Sequence, residues 1–520
     1  MKNGVFKTIG SDFPAGLVVY LVALPLCLGV GLASTGRPDL IFSGIIAGII
    51  GGVVVGALSG SQLGVSGPAA GLVTIVLGAL ETLSTFEAFL MAVVLAGIIQ
   101  VIAGFFKAGI IGYYFPSSVI KGMLAAIGVI LILKEIPHLL GFDENSFGEL
   151  GFVETSGQNT FSNVYYAILN PSIGAIIIGV ISLGILILFE RPFMKKIALF
   201  KFLPGALFVV VFGTLINQFF HFFYPTWYMS GEHLVQLPVA NSPREFFGFF
   251  TNPDFSVLTS IDVYTVALTI AIVASLETLL SVEATDKLDP YKRITPSNRE
   301  LKAQGVGNIV SGMIGGLPIT PVIVRSSANI NAGGKTKLAT IIHGLILLFS
   351  VALIASVLNY IPLASLAAIL LFIGYKLAHP SLIRAMYRMG WEQFSPFILT
   401  IVAVVMTDLL KGIGIGLAIG IFFILRKNYA NPYTLTKHVE DNKITIQLAE
   451  EVSFLNKASV SKALMELEPG TSVIIDGSKS KYIAYDVIER IIDFKDFTAP
   501  EKGIEVACIG IESINSEYTN

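Results

Sequence analysis

The chain has 520 residues, 54% hydrophobic and 13% charged, with a formal net charge of -2. So few charges cannot cover a soluble globular surface, and no basic excess is left to serve nucleic acid, so the composition is that of a polytopic protein of the lipid bilayer. Cys27 lies in an apolar run, Cys508 in a polar tail and the six histidines are scattered, which excludes a disulfide framework and leaves no expectation of a metal or cofactor.

The start, Met1 to Pro14, carries two lysines but no cleavage site before a long apolar run, so the first span is expected to be retained. Apolar runs long enough to cross the hydrocarbon, with some short Gly/Pro-interrupted ones, fall near 13–34, 41–58, 66–80, 88–106, 116–133, 172–189 and 203–222. A second set follows near 263–282, 303–314, 320–332, 338–358, 362–375, 395–409 and 412–425. The expected fold is therefore an all-α polytopic membrane domain, residues 1–427, with fourteen spans in two sevens (about 12–223 and 262–427).

Loop charges test the count. With the N-terminus inside, Lys107, the Arg191/Lys195/Lys196/Lys201 loop, the Lys287 to Lys302 loop, Lys335/Lys337, Arg384/Arg388 and Arg426/Lys427 all fall on the cytoplasmic side. The long segments that come out external, Glu135 to Pro171 and Tyr224 to Asp262, carry a single Lys or Arg between them, Arg244. Both termini are thus expected in the cytoplasm.

Two spans are interrupted by the same kind of motif: Gly64-Val65-Ser66-Gly67-Pro68-Ala69 in the third and Gly316-Leu317-Pro318-Ile319-Thr320-Pro321 in the tenth. Each is expected to be half extended and half helical, with Pro68 and Pro321 at the first helical position. Six spans lie between them, so the third and tenth cross in opposite senses and the two half-helices run in opposite directions with their N-termini facing near mid-membrane. Matched broken spans in inverted halves point to a transporter binding site; the plainer alternative is that the Gly and Pro residues serve close helix packing.

Beyond about Asn428 the pattern changes. Ile444, Ile446 and Leu448 read as a strand, Lys457 to Leu467 as an amphipathic helix, Ser472 to Ile475 as a buried strand, Ala484 to Phe494 as a second helix and Ile504 to Ile511 as a strand. Residues 428–520 are expected to form a small cytoplasmic α/β domain.

Two charges are embedded in apolar spans, Glu277 in the eighth and Arg325 in the tenth. A charge at the bilayer centre costs about 2.5–3.5 kcal/mol or more, so each needs a protein partner, a polar cavity or a ligand. An ion pair between them is the structural alternative. Each helix N-terminus contributes about half a positive charge, so two ends plus Arg325 give about +2, with Ser66, Thr320, Ser326 and backbone N–H groups as donors. The pocket suits a small anion: a monoanion such as bicarbonate if Glu277 is ionised, a dianion such as sulfate if it is protonated. Glu277, with Thr278 beside it, is the candidate for coupling to H+ or Na+.

These stretches resemble the sulfate permease (SulP) family, solute carrier family 26. The likeness rests on Ser275 to Ser281, Asn298 to Asn308, Gly315 to Thr320, Arg325 to Thr336, Asp12 to Gly16 with Ala23-Leu24-Pro25, and Ser66 to Gly71. It implies fourteen spans in inverted repeats, a core domain moving against a gate domain like an elevator, homodimers, and a C-terminal STAS domain. It also implies an anion site at Ser66, Gly67, Pro68, Ala69, Thr320 and Arg325, lined by Leu24 to Leu26. Glu at 277 is similar to proton-coupled bacterial members, while sodium-coupled bicarbonate members carry Asp. The loop Val282 to Arg293 is similar to a bacterial subgroup found beside carbonic anhydrases. Val473 to Ser478 and Tyr482 to Arg490 resemble a STAS domain, but one that is short and has Tyr485 and Asp486 near where regulatory relatives are phosphorylated on Ser.

The expected function is secondary transport of sulfate or bicarbonate across the cytoplasmic (inner) membrane. A nucleobase permease of the same architecture would carry carboxylates on both the eighth and tenth spans, yet no Asp or Glu occurs between Glu300 and Glu392. An anion channel stays open as a reading. No nucleophile-base pair or metal set marks an enzyme.

Overall fold

The computed structural model describes residues 8–143, 152, 158–192, 194, 204–240, 242–430, 433–438 and 443–511. Lys195, Lys196 and Lys201 of the expected basic loop lie outside these residues. The chain forms two compact units, residues 1–417 and 418–520.

Elements are numbered in chain order as introduced. In the first unit α1 is Ile9–Thr35 and α2 is Phe42–Ile50, prolonged by a π-turn over Gly51–Val55 to Leu58. There follow β1 (Ser66–Pro68), α3 (Val73–Leu83), α4 (Phe86–Phe105), α5 (Ser117–Leu140), α6 (Thr160–Leu169), α7 (Ile173–Phe189), α8 (Gly205–Phe223) and α9 (Pro243–Phe247). The second half holds α10 (Ile261–Leu288), α11 (Ser297–Met313), β2 (Ile319–Pro321), α12 (Ile323–Asn331), α13 (Leu338–Leu353), α14 (Leu363–Leu377), α15 (Pro380–Arg388), α16 (Trp391–Met406) and α17 (Leu409–Ala430).

Among the described residues six helices are long and apolar enough to cross a membrane. A seventh span arises if α6 and α7, bent by 111°, count as one. The apolar runs correspond closely to helices because in hydrocarbon only intra-helical bonding satisfies the backbone. The helix α6 falls where the sequence reads as loop; its start is fixed by a capping box at Asn159 and Ser162.

The helices pack as two groups. Helices α1 to α4 pack with α10 to α13 around the two short strands, while α5, α7, α8, α14 and α16 pack on one another; α1 and α12 also touch α14. A segment after α8 joins the groups. Asn217 exchanges two hydrogen bonds with the Met229 backbone, His233 contacts Asp143 at 2.6 Å, and Leu237 exchanges two with Asn359. Further on, Phe246, Phe249 and Phe250 pack on Phe42 of α2, and the Asp254 N–H donates to the Glu87 carbonyl at 3.1 Å.

The second unit contains a four-stranded sheet of β3 (Tyr433–His438), β4 (Lys443–Leu448), β6 (Ser472–Asp476) and β8 (Glu505–Ile509), in that order. The β3–β4 pair is antiparallel and the rest parallel, with β5 (Glu451–Val452) and β7 (Tyr482–Ile483) paired separately. Helices α18 (Lys457–Met465) and α19 (Tyr485–Asp493) supply Val460, Leu464, Val487 and Ile491 to a core with Ile446, Val473 and Ile475. The strand β3 and the β5–β7 pair go beyond the elements read from the sequence.

Candidate functional site

The two Gly/Pro motifs meet. Strands β1 and β2 pair antiparallel, Ser66 opposite Pro321, Gly67 opposite Thr320 and Pro68 opposite Ile319. The ladder is extended by Val322 N–H to Val65 C=O (2.8 Å) and Ala69 N–H to Pro318 C=O (3.1 Å). Proline has no N–H to lose, so Pro68 and Pro321 suit a two-stranded ribbon with no further strands on either edge.

This pairing corrects the expected helix starts. Pro68 and Pro321 belong to the strands, and the helices begin later, α3 at Val73 and α12 at Ile323, after Leu72 and Val322, which make no side-chain cap. One residue separates each strand from coiled backbone: Ala69 precedes a 3-10 turn over Ala70–Leu72 that leads into α3, and Val322 precedes α12. Extended backbone inside a membrane protein survives only when its polar groups are paired within the protein. Helix α11 provides for that with Glu300, Gln304, Asn308 and Ser311, a polar stripe spaced four, four and three residues apart on one face. Asn308 acts as a substitute strand: its Oδ1 accepts from Ile319 N–H (2.6 Å) and its Nδ2 donates to Ile319 C=O (3.2 Å). The Ser311 hydroxyl donates to Leu317 C=O at 2.8 Å.

Arg325, in the first turn of α12, is buried with 1% of its surface exposed. Its Nη2 donates to Cys27 Sγ at 3.3 Å, while Nε and Nη1 have no hydrogen-bond partner among the described residues. The guanidinium packs against Gly67, where any β-carbon would overlap Nη1. His343 of α13 lies within electrostatic reach, with neither ring nitrogen hydrogen-bonded.

Glu277 of α10 lies against Gly71, whose β-carbon, if present, would be 3.1 Å from its carboxyl atoms. The carboxyl is within electrostatic reach of the Thr320 hydroxyl and the Gly71 N–H, yet among the described residues Glu277 Oε2, Thr278 Oγ1 and Thr320 Oγ1 have no hydrogen-bond partner. Glu277 and Arg325 form no ion pair, so the structural alternative is absent: each charge has its own station beside one of the two glycines. Ser326 is placed differently from expectation. Its hydroxyl accepts from Val65 N–H (3.0 Å) and donates to Val322 C=O (2.9 Å), which ties the strand ends together. No group of three metal-ligating side chains occurs among the described residues.

The site therefore consists of crossed strand-helix junctions, one buried guanidinium with two unpartnered nitrogens, Nε and Nη1, and one buried carboxyl with an unused oxygen. Each unpaired buried donor costs about 1–3 kcal/mol, more for a charged group, which an acceptor-only ligand would recover. The polar stripe of α11 and Cys27 went unassigned in the sequence reading. The stripe's signal is the spacing of its polar residues in the sequence; Cys27, in the apolar run of α1, carries no such signal.

The sulfate permease family model matches residues 9–407, more than half of the chain. The chain belongs to the sulfate permease family. That family is one of transporters, not enzymes. A putative sulfate transporter of Bacillus subtilis is 29% identical over 80% of this chain and 73% of its own length. A bicarbonate transporter, BicA, of a Picosynechococcus species is 27% identical over 79% of this chain and 69% of its own. Among solved structures, SLC26A9 matches with a TM-score of 0.67 at 17% identity, covering 99% of this chain and 87% of that one. The transmembrane domain of a cyanobacterial BicA matches at 0.55 and 23% identity, covering 79% and 98%. These likenesses establish the helical polytopic membrane fold of the family.

Proposed function

We propose that the protein is a secondary transporter of small inorganic anions, sulfate or bicarbonate, with the anion held at the β1–β2 crossing by Arg325 and the N-termini of α3 and α12. The observation that carries this is the buried Arg325, whose Nε and Nη1 have no hydrogen-bond partner among the described residues. Relatives named as sulfate and bicarbonate transporters support the substrate class. Glu277, with Thr278, couples anion movement to H+ or Na+ by competing for the positive field when ionised. No Asp or Glu stands between Glu300 and Glu392, which disfavours a nucleobase site here.

The same reading takes the chain as fourteen spans in two inverted repeats, about 12–223 and 262–427, moving as an elevator in a homodimer. The N- and C-termini lie in the cytoplasm, and residues 428–520 form a short STAS-like domain with a structural or dimer-contact role. The test is purified protein in liposomes with labelled sulfate and bicarbonate under separate proton and sodium gradients. Arg325→Ala should abolish saturable uptake, and Glu277→Gln should remove the dependence on the cation gradient while leaving anion binding measurable. Wild-type affinity in Arg325→Ala would end the site assignment, and non-saturating flux insensitive to both gradients would point to a channel.

A further inference from the structure

Between α3 and the first half of α10 the surface opens into a groove of about 260 Å³, lined by Thr74, Gly78, Thr82, Asp262, Thr265 and Thr269 over an apolar floor. The polar side chains in it are four hydroxyls and one carboxylate, with no basic group among them. Three of the hydroxyls have a settled direction. Thr82 donates to the Gly78 carbonyl at 2.8 Å, Thr265 to that of Ile261 at 3.2 Å and Thr269 to that of Thr265 at 2.9 Å. A hydroxyl whose hydrogen goes back into its own helix has only lone pairs left for the groove. The Asp262 carboxylate makes no hydrogen bond or ion pair among the described residues. Gly78 serves openness rather than close packing: a β-carbon there would meet nothing within 4 Å, although glycine weakens a helix.

The groove leads toward Glu277. Helices α3 and α10 run antiparallel, with Gly71 against the Glu277 carboxyl at one end and Thr82 with Asp262 at the other. Val266 lines the groove, and Val273 and Glu277, seven and eleven residues further on, share its face of α10. Thr269 precedes Glu277 by eight residues, about 12 Å along the helix. At the mouth the α10 N-terminus and the α3 C-terminus contribute about half a charge each, of opposite sign, so Asp262 makes the entrance negative. Hard cations take oxygen ligands, and the groove offers a file of oxygens that can only accept.

We propose that this groove is the entry by which the coupling cation reaches Glu277 from the side of the membrane on which Asp262 lies, the external side in the topology above. The inference deepens the coupling reading of Glu277 and rests on it. Asp262 draws the cation to the mouth, the threonine oxygens replace part of its water shell, and the Glu277 carboxylate ends the path.

The experiment uses cells expressing the protein, with uptake of labelled sulfate and bicarbonate measured against external Na+ and external pH in turn. Asp262→Asn should raise the cation concentration for half-maximal uptake about two- to five-fold, the size of one solvent-screened charge interaction, with a smaller change in the maximal rate. Gly78→Cys and Thr269→Cys are treated from outside with membrane-impermeant methanethiosulfonates carrying either a trimethylammonium or a sulfonate group. Cys27 is buried and Cys508 lies in the other unit, so wild type is the blank. Leu268→Cys, exposed on α10 outside the groove lining, reports on the lipid-facing surface. Both groove thiols should react and that at position 268 should not. The cationic reagent should raise the half-maximal cation concentration at least ten-fold, the anionic one much less. Groove thiols that stay unmodified would show that the groove faces lipid and overturn the inference. So would equal inhibition by both reagents with the cation dependence unmoved, the mark of a jammed motion, and so would wild-type cation dependence in Asp262→Asn. None of these results touches the coupling role of Glu277. Wild-type cation dependence in Glu277→Gln would instead end the coupling reading, and the inference with it.

Discussion

Gly67→Ala tests how tightly Arg325 is held. Gly67 lies in extended backbone opposite Thr320, and its φ is not among the positive ones, so alanine meets no conformational obstacle there. The difficulty is steric: the new methyl carbon would overlap Nη1 and stand 2.8 Å from Cζ and 3.4 Å from Nη2 of Arg325. Ordinary contact needs about 3.5–4 Å, so the guanidinium must retreat by an ångström or more. It retreats into packed surroundings, because Cys27 Sγ holds Nη2 and even a β-carbon built on Gly48 would stand 3.8 Å from Nη1. Overpacking of this kind costs about 1–3 kcal/mol of stability. A guanidinium displaced that far from its ligand should weaken anion affinity about ten- to a hundred-fold, one or two factors of about 1.4 kcal/mol. The assay is anion affinity by uptake kinetics together with thermal unfolding, for Gly67→Ala alone and combined with Arg325→Ala. The truncated arginine vacates the space, so the double variant should lose nothing further and should melt above Gly67→Ala. Wild-type KM and melting in Gly67→Ala would refute the packing of Arg325 on β1.

Asn308→Leu should lower stability by about 3 kcal/mol, because both the N–H and C=O of Ile319 lose their partner, and should reduce uptake more than Asn308→Asp, which keeps an acceptor for the N–H; unfolding and transport of the two variants check this. The Asp143 clamp predicts a pH dependence. Burial opposes ionisation of Asp143, but bonds from His138 (2.5 Å) and His233 (2.6 Å) outweigh it and hold its carboxyl below the usual value of 3.8, while the bond to Asp143 lifts His233 above 6.5. The Asp143 contribution is present above pH 3.8 and lost as pH falls through the depressed value; that of His233 is full below 6.5 and lost as pH rises through the raised one. Glu135, Lys134 and Glu232 are the other charged groups in reach. The melting gap between wild type and Asp143→Asn should therefore be widest at about pH 4–6.5 and narrow toward pH 9; a gap that does not change with pH would remove the histidines from the clamp.

The membrane helices were legible because a bilayer leaves an apolar run few alternatives, and the two strands because closely spaced Gly and Pro residues disfavour a helix around Ser66–Pro68 and Ile319–Pro321. Partners across long sequence distances were not legible. The hydroxyl of Ser326 reads as an anion donor, yet it serves Val65, 261 residues away, and Gln304 falls unremarked in the apolar run 303–314 until Ser66, 238 residues away, is beside it. The same holds for Pro321, whose place after Thr320 reads as a helix start until the opposite strand claims it.

The segment after α8 acts as a leash. It is fastened to one helix group as far as Leu237, by the bonds to Asn359, and to the other from Phe246, by the contact with Phe42. Any sliding of one group past the other must be taken up by positions 238–245, a stretch that could reach roughly 27 Å if drawn straight. The short helix Pro243–Phe247 stores part of that length in coiled form. If the chain moves as the elevator proposed above, the slack of this segment limits the stroke, and shortening it should shorten the stroke without altering the anion site.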